Sequence, residues 1–207
     1  MGVKVQVIFY SLYGHVYRLA EAVAEGARQV PGAQVELLQV TETLPAEVLA
    51  KMGAVEAKKA FAQVPTAQPS RLAEADVILL GTGTRYGGAT AQMRAFIDHT
   101  GPLWTSGALI GKVGGAFTST ASQHGGQETT LMNLHTFFFH MGLVVVGVPY
   151  SAQELLNMSE LTGGTPYGAS TVTGPRGERL PSENELAIAR FQGKHAASIG
   201  AKLAAAK

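Results

Sequence analysis

The sequence predicts an α/β protein built on a doubly wound, five-stranded parallel sheet with helices on both faces. Short β-rich runs alternate with longer helical patterns along the chain. Some of these runs are almost continuously apolar, as strands covered by helices on both sides are. No internal repeat, heptad pattern or interdomain linker interrupts the alternation. Such alternation produces parallel sheets through right-handed crossovers. Because no linker divides the pattern, we expect a single domain over residues 1–207.

The first half of the chain contains two strand candidates and one clear helix. Residues 3–10 are β-branched and aromatic, which predicts the first strand. From Val16, apolar residues recur with helical spacing as far as the Pro31-Gly32 pair, which indicates a helix with one buried face. Residues 34–40 predict the second strand. The Ala- and Lys-rich stretch around 41–70 has weak helical periodicity and indicates an insertion on the surface.

Three further apolar runs predict the remaining strands, at residues 76–81, 112–119 and 143–148. Helical patterns follow the first two of these runs, at 89–99 and 128–141. A long loop rich in Gly and Pro occupies residues around 149–181. Ser182 and Glu185 then have the spacing of a capping box, which predicts the start of the last helix.

Composition and charge exclude several classes of function. The chain has no cysteine, which excludes disulfides, thiolate metal sites and a cysteine nucleophile. A formal net charge of +1 gives no reason to expect a nucleic-acid or membrane-surface partner. No apolar stretch is long enough for membrane insertion, and the N-terminus lacks signal-peptide features, so we expect a cytoplasmic protein. His135 and His140 lie on different helix faces, so we expect no metal site.

Three polar loops follow predicted strands at the carboxyl edge of the sheet, where ligands bind in such folds. They are residues 11–16, 82–88 and 119–127. The first combines a hydroxyl, a glycine turn and a helix N-terminus, which makes an anion site without Lys or Arg that suits a phosphate monoester. Alternatively, Ser11 only caps the helix and Gly14 only serves the turn.

The second and third loops also have two interpretations each. Tyr86 can pack on a flat ligand, and Arg85 can face a pyrimidine-like edge or a nicotinamide phosphate. Amides of the third loop can solvate negative charge at the pyrimidine edge of a reduced flavin. Taken singly, the second loop could be an ordinary polar turn and the third a flexible one. Their coincidence at one sheet edge favours a binding site.

With these motifs, the chain resembles the WrbA-type NAD(P)H:quinone oxidoreductases, a branch of the flavodoxin-like proteins. The resemblance covers nearly the whole chain and includes the insertion after strand two. Its landmarks are YSLYGH (10–15), GTGTRYG (81–87), QMRAFIDHTGPLW (92–104), GGQE (125–128) and GGTPYGAST (163–171). The resemblance implies FMN as cofactor, NADH or NADPH as co-substrate, a quinone as substrate, and a homotetramer.

The resemblance also implies which residues form the site. The FMN phosphate loop matches Ser11, Leu12, Tyr13, Gly14, His15 and Val16, and the loop against the isoalloxazine matches Thr84, Arg85 and Tyr86. The third flavin loop matches Ser119, Thr120, Ala121, Ser122, Gln123, His124 and Gly125, which depart from the GTGG-like run of some relatives.

Three residues have further implied roles. Tyr13 also matches the contact with the nicotinamide cofactor. His140 matches a histidine near the flavin and is the candidate catalytic residue, and Trp104 matches an aromatic residue that lines the substrate site. Because the family forms tetramers, both can act across a subunit boundary. Without the resemblance, His140 would be interpreted as a packing histidine and Trp104 as an interface anchor.

The resemblance implies two-electron reduction of quinones by NAD(P)H, with ping-pong hydride transfer through one shared site. A flavodoxin-type carrier of single electrons is the alternative. Such carriers are often strongly acidic, whereas this chain is nearly neutral and has a long insertion. A binding or regulatory protein that merely keeps the fold is the third hypothesis.

Overall fold

The computed structural model describes residues 2–206, which contain a seven-stranded sheet. Five parallel strands follow the order β2-β1-β3-β5-β6. They are β1 (Lys4–Phe9), β2 (Gln34–Gln39), β3 (Val77–Arg85), β5 (Val113–Thr120) and β6 (Val144–Val145). Two short strands join them: β4 (Gly88–Ala89) runs antiparallel to the end of β3, and β7 (Ser170–Val172) runs parallel to the end of β5. The order confirms the predicted doubly wound sheet, with two additional strands.

Helices cover both faces of the sheet. They are α1 (His15–Arg28), α2 (Ala46–Lys51), α3 (Val55–Lys59), α4 (Ala91–Asp98), α5 (Gly101–Thr105), α6 (Gln127–His140) and α7 (Glu183–Ala205). Helices α1 and α7 enclose one apolar cluster with the sheet, and α4 and α6 enclose the other. A Cβ atom on Gly26 would lie 1.8 Å from the Arg190 carbonyl oxygen, so glycine is required where α1 and α7 touch.

The fifth strand differs from the prediction over residues 143–148. Only Val144–Val145 pairs with β5, beside its first two residues. The chain then leaves the ladder, because the Val148 amide donates to the Pro166 carbonyl, in the region predicted as a loop, rather than to β5. It returns as β7, beside the last three residues of β5. The region predicted as a loop at 149–181 therefore contains a strand and a 3₁₀ segment, Gln153–Leu156.

The insertion around 41–70 forms α2 and α3, and its later part enters the core. Phe61 is buried, and its ring centroid lies 5.7 Å from that of Phe9 and 5.1 Å from that of Tyr17. Gln39 donates to the carbonyls of Phe61 and Val64. The surface prediction is therefore wrong for these residues, because an aromatic cluster anchors them beside β1 and α1.

Within residues 2–206, none of the helices combines the length and the apolar character needed to cross a bilayer.

Candidate functional site

A cavity of about 340 Å³ lies at the carboxyl edge of β1, β3 and β5. Four segments line it, in the ranges 10–16, 83–90, 119–121 and 173–177. The first three belong to the loops predicted from sequence. The structure therefore brings all three loops together at the edge where parallel sheets bind their ligands.

The first loop presents backbone amides at the start of α1. Gly14 has φ +89°, a left-handed conformation that favours glycine, and its amide donates to Ser11 Oγ at 3.0 Å. Ser11 thus closes the turn, and among the described residues no side chain caps α1. The amides that have no acceptor within residues 2–206 include those of Leu12, Tyr13, His15 and Val16. Free amides at the positive end of a helix dipole are suited to an anion.

The second loop is a tight hairpin between β3 and β4. Tyr86 and Gly87 both have positive φ, +53° and +78°, as a two-residue hairpin turn requires. Thr84 and Arg85 line the cavity, and the hydroxyls of Thr84 and Thr130 lie 2.8 Å apart. Tyr86 is fully exposed at the tip of the hairpin and lies outside the cavity lining. The turn geometry therefore separates it from its two predicted partners.

The third loop contributes its first part only. Ser119, Thr120 and Ala121 line the cavity. The chain then makes a compact turn, in which Thr120 Oγ1 donates to the Ser122 carbonyl at 2.7 Å and the Gly125 amide donates to the same oxygen. This turn places four predicted residues outside the lining, namely Ser122, Gln123, His124 and Gly125.

His140 and Trp104 lie far from the cavity of their own chain. Helix α6 starts beside the third loop and ends at His140, and its 14 residues span about 20 Å. His140 is exposed next to β6, which pairs with the start of β5. Trp104 is 63% exposed on α5, near the 3₁₀ segment Pro69–Glu74 that precedes β3. Neither residue lines the cavity of its own chain, and the exposure of His140 does not fit a buried packing role.

The segment 173–177 forms a fourth cavity wall that sequence reasoning left inside a loop. It follows β7 directly, and the Thr173 amide donates to the Thr120 carbonyl at 2.8 Å. His15 Nε2 bonds the Gly177 carbonyl at 3.0 Å. Arg176 joins Arg85 in the lining, so two arginines line the cavity beyond the first loop. In the sequence, the Gly- and Pro-rich run after Ser170–Val172 is the one signal for a loop that follows a strand. The strand itself has only three residues and is too short to recognise.

A buried carboxylate holds that wall in place. Glu185 is fully buried at the start of α7 and accepts hydrogen bonds from Gly163, Thr171, Val172 and Ser182. Arg179 donates to it at 2.8 Å and also bonds the Val172 carbonyl. The capping box predicted for the last helix is therefore present, and it fixes the chain on both sides of 173–177.

A second polar cluster lies behind the first loop. The Tyr10 hydroxyl donates to Glu42 at 3.0 Å, and burial, together with the Glu42 charge, raises the pKa of Tyr10. Burial alone would raise the pKa of Glu42, but hydrogen bonds from Leu44 and Lys58 lower it overall. Lys58 therefore faces an ionised carboxylate 2.9 Å away.

Comparison with known proteins gives two kinds of match. The family model described as "NADPH-dependent FMN reductase" matches residues 3–154. A protein of Geobacter metallireducens called "NAD(P)H dehydrogenase (quinone)" is 59% identical over 97% of this chain and 98% of its own length. A protein of the same name from Methanosarcina acetivorans is 56% identical over 98% of this chain and 99% of its own length.

Solved structures share the fold. A flavodoxin, WrbA-like protein from Agrobacterium tumefaciens superposes with a TM-score of 0.66 at 25% identity, over 97% of this chain and 99% of that chain. A flavodoxin from the domain Archaea gives a TM-score of 0.62 at 19% identity, over 96% of this chain and 99% of that chain, and shows likeness of fold alone.

Proposed function

The chain belongs to the NADPH-dependent FMN reductase family, among its NAD(P)H dehydrogenase (quinone) members, and we propose that it reduces quinones by two electrons in a ping-pong reaction. Membership confirms the resemblance to WrbA-type enzymes and, with it, the prediction of FMN and NAD(P)H. The observation that carries the proposal is the set of unpaired amides at the start of α1, which open on the cavity.

The residues present fit FMN. The amides of Leu12, Tyr13, His15 and Val16 would hold the phosphate, because they offer donors at a helix N-terminus and no residue within 2–206 accepts from them. The ring system would lie between the second and third loops, against Thr84, Arg85, Ser119, Thr120 and Ala121. When bound, FMN supplies the chemistry of accepting a hydride and passing on two electrons.

The chain's own residues would bind and orient the substrates. Tyr13 is 43% exposed at the cavity rim, and its hydroxyl donates to the Met52 carbonyl at 3.1 Å, which fixes the ring where a nicotinamide can lie against it. Arg85 would stabilise negative charge at the edge of the cavity. A single cavity that admits NAD(P)H and a quinone in turn would produce the alternating order of a ping-pong reaction.

Residues from a second subunit would complete the site. Trp104, Ile110 and Phe139 are each more than 60% exposed near the amino edge of the sheet, where His140 also lies. Exposed apolar side chains close together are typical of subunit interfaces. In a homotetramer, Trp104 would line the quinone site of a neighbouring chain and His140 would donate a hydrogen bond to the quinone oxygen.

An anaerobic titration tests the proposal. Protein loaded with FMN is titrated with NADH or NADPH and then with benzoquinone, while the flavin absorbance is recorded. We expect complete two-electron bleaching by the nucleotide and full recovery with one equivalent of quinone. Absence of NAD(P)H oxidation, with reduction by one-electron donors only, would favour the electron carrier. Failure to bind FMN would favour a regulatory protein.

A further inference from the structure

The segment that contains the inserted helices α2 and α3 contacts the first loop at two points. Lys58 Nζ, on α3, donates to the Ser11 carbonyl oxygen at 3.3 Å. The Tyr13 hydroxyl donates to the carbonyl of Met52, which follows α2. Two points of a loop that offers its amides to the cavity are therefore attached to a segment that lines no part of that cavity.

Lys58 is held in a defined position. Its side chain is 19% exposed, and its ammonium group lies 2.9 Å from Glu42 Oε2. The same ammonium lies 5.2 Å from the ring centroid of Tyr10 and 5.3 Å from that of Phe61, within the range of cation–π attraction. The next residue, Lys59, is 67% exposed, and within residues 2–206 its one ion pair is with the exposed Glu56. The two adjacent lysines thus differ in burial and in every partner.

The contact with Ser11 determines which way one peptide faces. A trans peptide is planar, so the carbonyl of Ser11 and the amide of Leu12 point in opposite directions. Because Lys58 binds the carbonyl, the Leu12 amide is turned away from the inserted helices. Ser11 and Leu12 both line the cavity, and the Leu12 amide has no acceptor within residues 2–206.

We propose that Lys58 is a positioning residue for the FMN phosphate, which it serves by fixing the Ser11–Leu12 peptide with its amide toward the cavity. The inserted helices are then part of the cofactor site without touching the cofactor. Glu42 balances the charge of Lys58 at 2.9 Å, so orientation of the peptide, rather than long-range attraction, produces the effect. This inference rests on the proposed FMN cavity.

The test compares Lys58→Met with the matched control Lys59→Met, using apoprotein and measuring quenching of flavin fluorescence. Each protein is titrated with FMN and with riboflavin, which lacks the phosphate. The variant Lys58→Met loses one charge-assisted hydrogen bond to the loop. Its affinity for FMN should therefore fall about tenfold or more, whereas its affinity for riboflavin should be unchanged. Lys59→Met should match the wild type with both ligands. Lys58→Arg, which keeps charge and donors, should restore most of the FMN affinity.

Amide hydrogen exchange over residues 10–17 gives an independent readout, and Lys58→Met should exchange faster there in the apoprotein. If Lys58→Met does not fold, Lys58→Gln takes its place, since it is too short to reach Ser11. Equal losses for FMN and riboflavin, or an unchanged FMN affinity, would overturn the role of Lys58. Wild-type protein that binds neither flavin would instead overturn the proposed function.

Discussion

The imidazole of His15 donates from Nε2 to the main-chain carbonyl of Gly177 across 3.0 Å. His15 is the first residue of α1, and Gly177 ends the segment that forms the fourth cavity wall. One side chain therefore joins the proposed phosphate loop to a wall that is 162 positions away in sequence. Burial lowers the pKa of His15, partly offset by this hydrogen bond.

Replacement of His15 by Phe should weaken FMN binding. The ring volume is kept, but the donor to Gly177 is lost, and a single neutral hydrogen bond of this kind corresponds to about a two- to tenfold change in affinity. Fluorescence titration of the apoprotein measures the effect. Wild-type affinity in the variant would mean that the wall at 173–177 holds its position without His15.

Stability should fall as the pH drops below about 6.5, in part through His135. This side chain is buried, and burial lowers its pKa from 6.5, while a hydrogen bond with the Tyr167 backbone partly opposes the shift. The unfolded chain therefore takes up a proton at a higher pH than the folded chain, and the stabilisation present above pH 6.5 is lost on acidification.

The variant His135→Leu should show a shallower fall in melting temperature between pH 7 and pH 5. A control variant, His99→Gln, replaces an exposed histidine and should retain the wild-type slope. Identical slopes for His135→Leu and the wild type would remove His135 from the pH response.

Replacement of Glu185 by Gln should destabilise the protein strongly. Glu185 is fully buried and Arg179 is 23% exposed, so the change leaves a poorly hydrated guanidinium without its counter-charge, at a cost of about 3 kcal/mol or more. Urea denaturation measures the free energy of unfolding. Glu183→Gln is the matched control, because Glu183 is 77% exposed in the same helical turn and its pair with Arg190 is of the weak, solvated kind. Similar losses of unfolding free energy in both variants would contradict the structural role of the buried Glu185–Arg179 pair.

Replacement of Tyr86 by Asn should raise the free energy of unfolding by about 0.5–1 kcal/mol, because Asn tolerates the positive φ of this hairpin position better than Tyr does. FMN affinity should change little, since Tyr86 is exposed outside the cavity lining. Thermal melts and flavin titration measure the two quantities. A large loss of FMN affinity would show that Tyr86 contacts the cofactor, which is the role predicted from the sequence.

Trp104 should act on a neighbouring chain, and complementation can detect it. Gly14→Asp places a carboxylate in the phosphate loop, at a positive φ that Asp adopts more readily than most non-glycine residues, and should abolish FMN binding. Trp104→Ala should raise the quinone KM and keep FMN binding. At a low quinone concentration, co-refolded mixtures of the two variants should be more active than the sum of the separate variants, because some FMN-binding cavities then face an intact Trp104. A mixture no more active than its components would contradict a shared site, and the same design applies to His140→Ala.

The sequence predicts those features that depend on local pattern. Apolar runs predict the central strands β1, β3 and β5, because strands covered by helices on both faces are apolar along nearly their whole length. The glycines and hydroxyls after each of these strands predict three of the four cavity walls. The single-domain organisation over 1–207 stays a prediction.

The missed features depend on contacts between distant segments. Ser170–Val172 becomes a strand only because the end of β5 offers an edge, and its pattern is too short to indicate this. Lys58 looks like any lysine of a polar helix until the fold brings it to Ser11. Likewise, no local pattern shows that His140 lies one helix length from the cavity.

The division of the fifth sheet position between β6 and β7 makes the intervening chain a site for changes in length. Val145 lies beside Gly114 and Ser170 beside Thr118, four positions further along β5, a gap of about 13 Å. A handful of extended residues can cover that distance, whereas residues 146–169 are far more than the connection requires. A graft between Met158 and Glu160, whose side chains are exposed, would leave both ladders in register, whereas Ala152 and Leu155 pack in the core and should be kept.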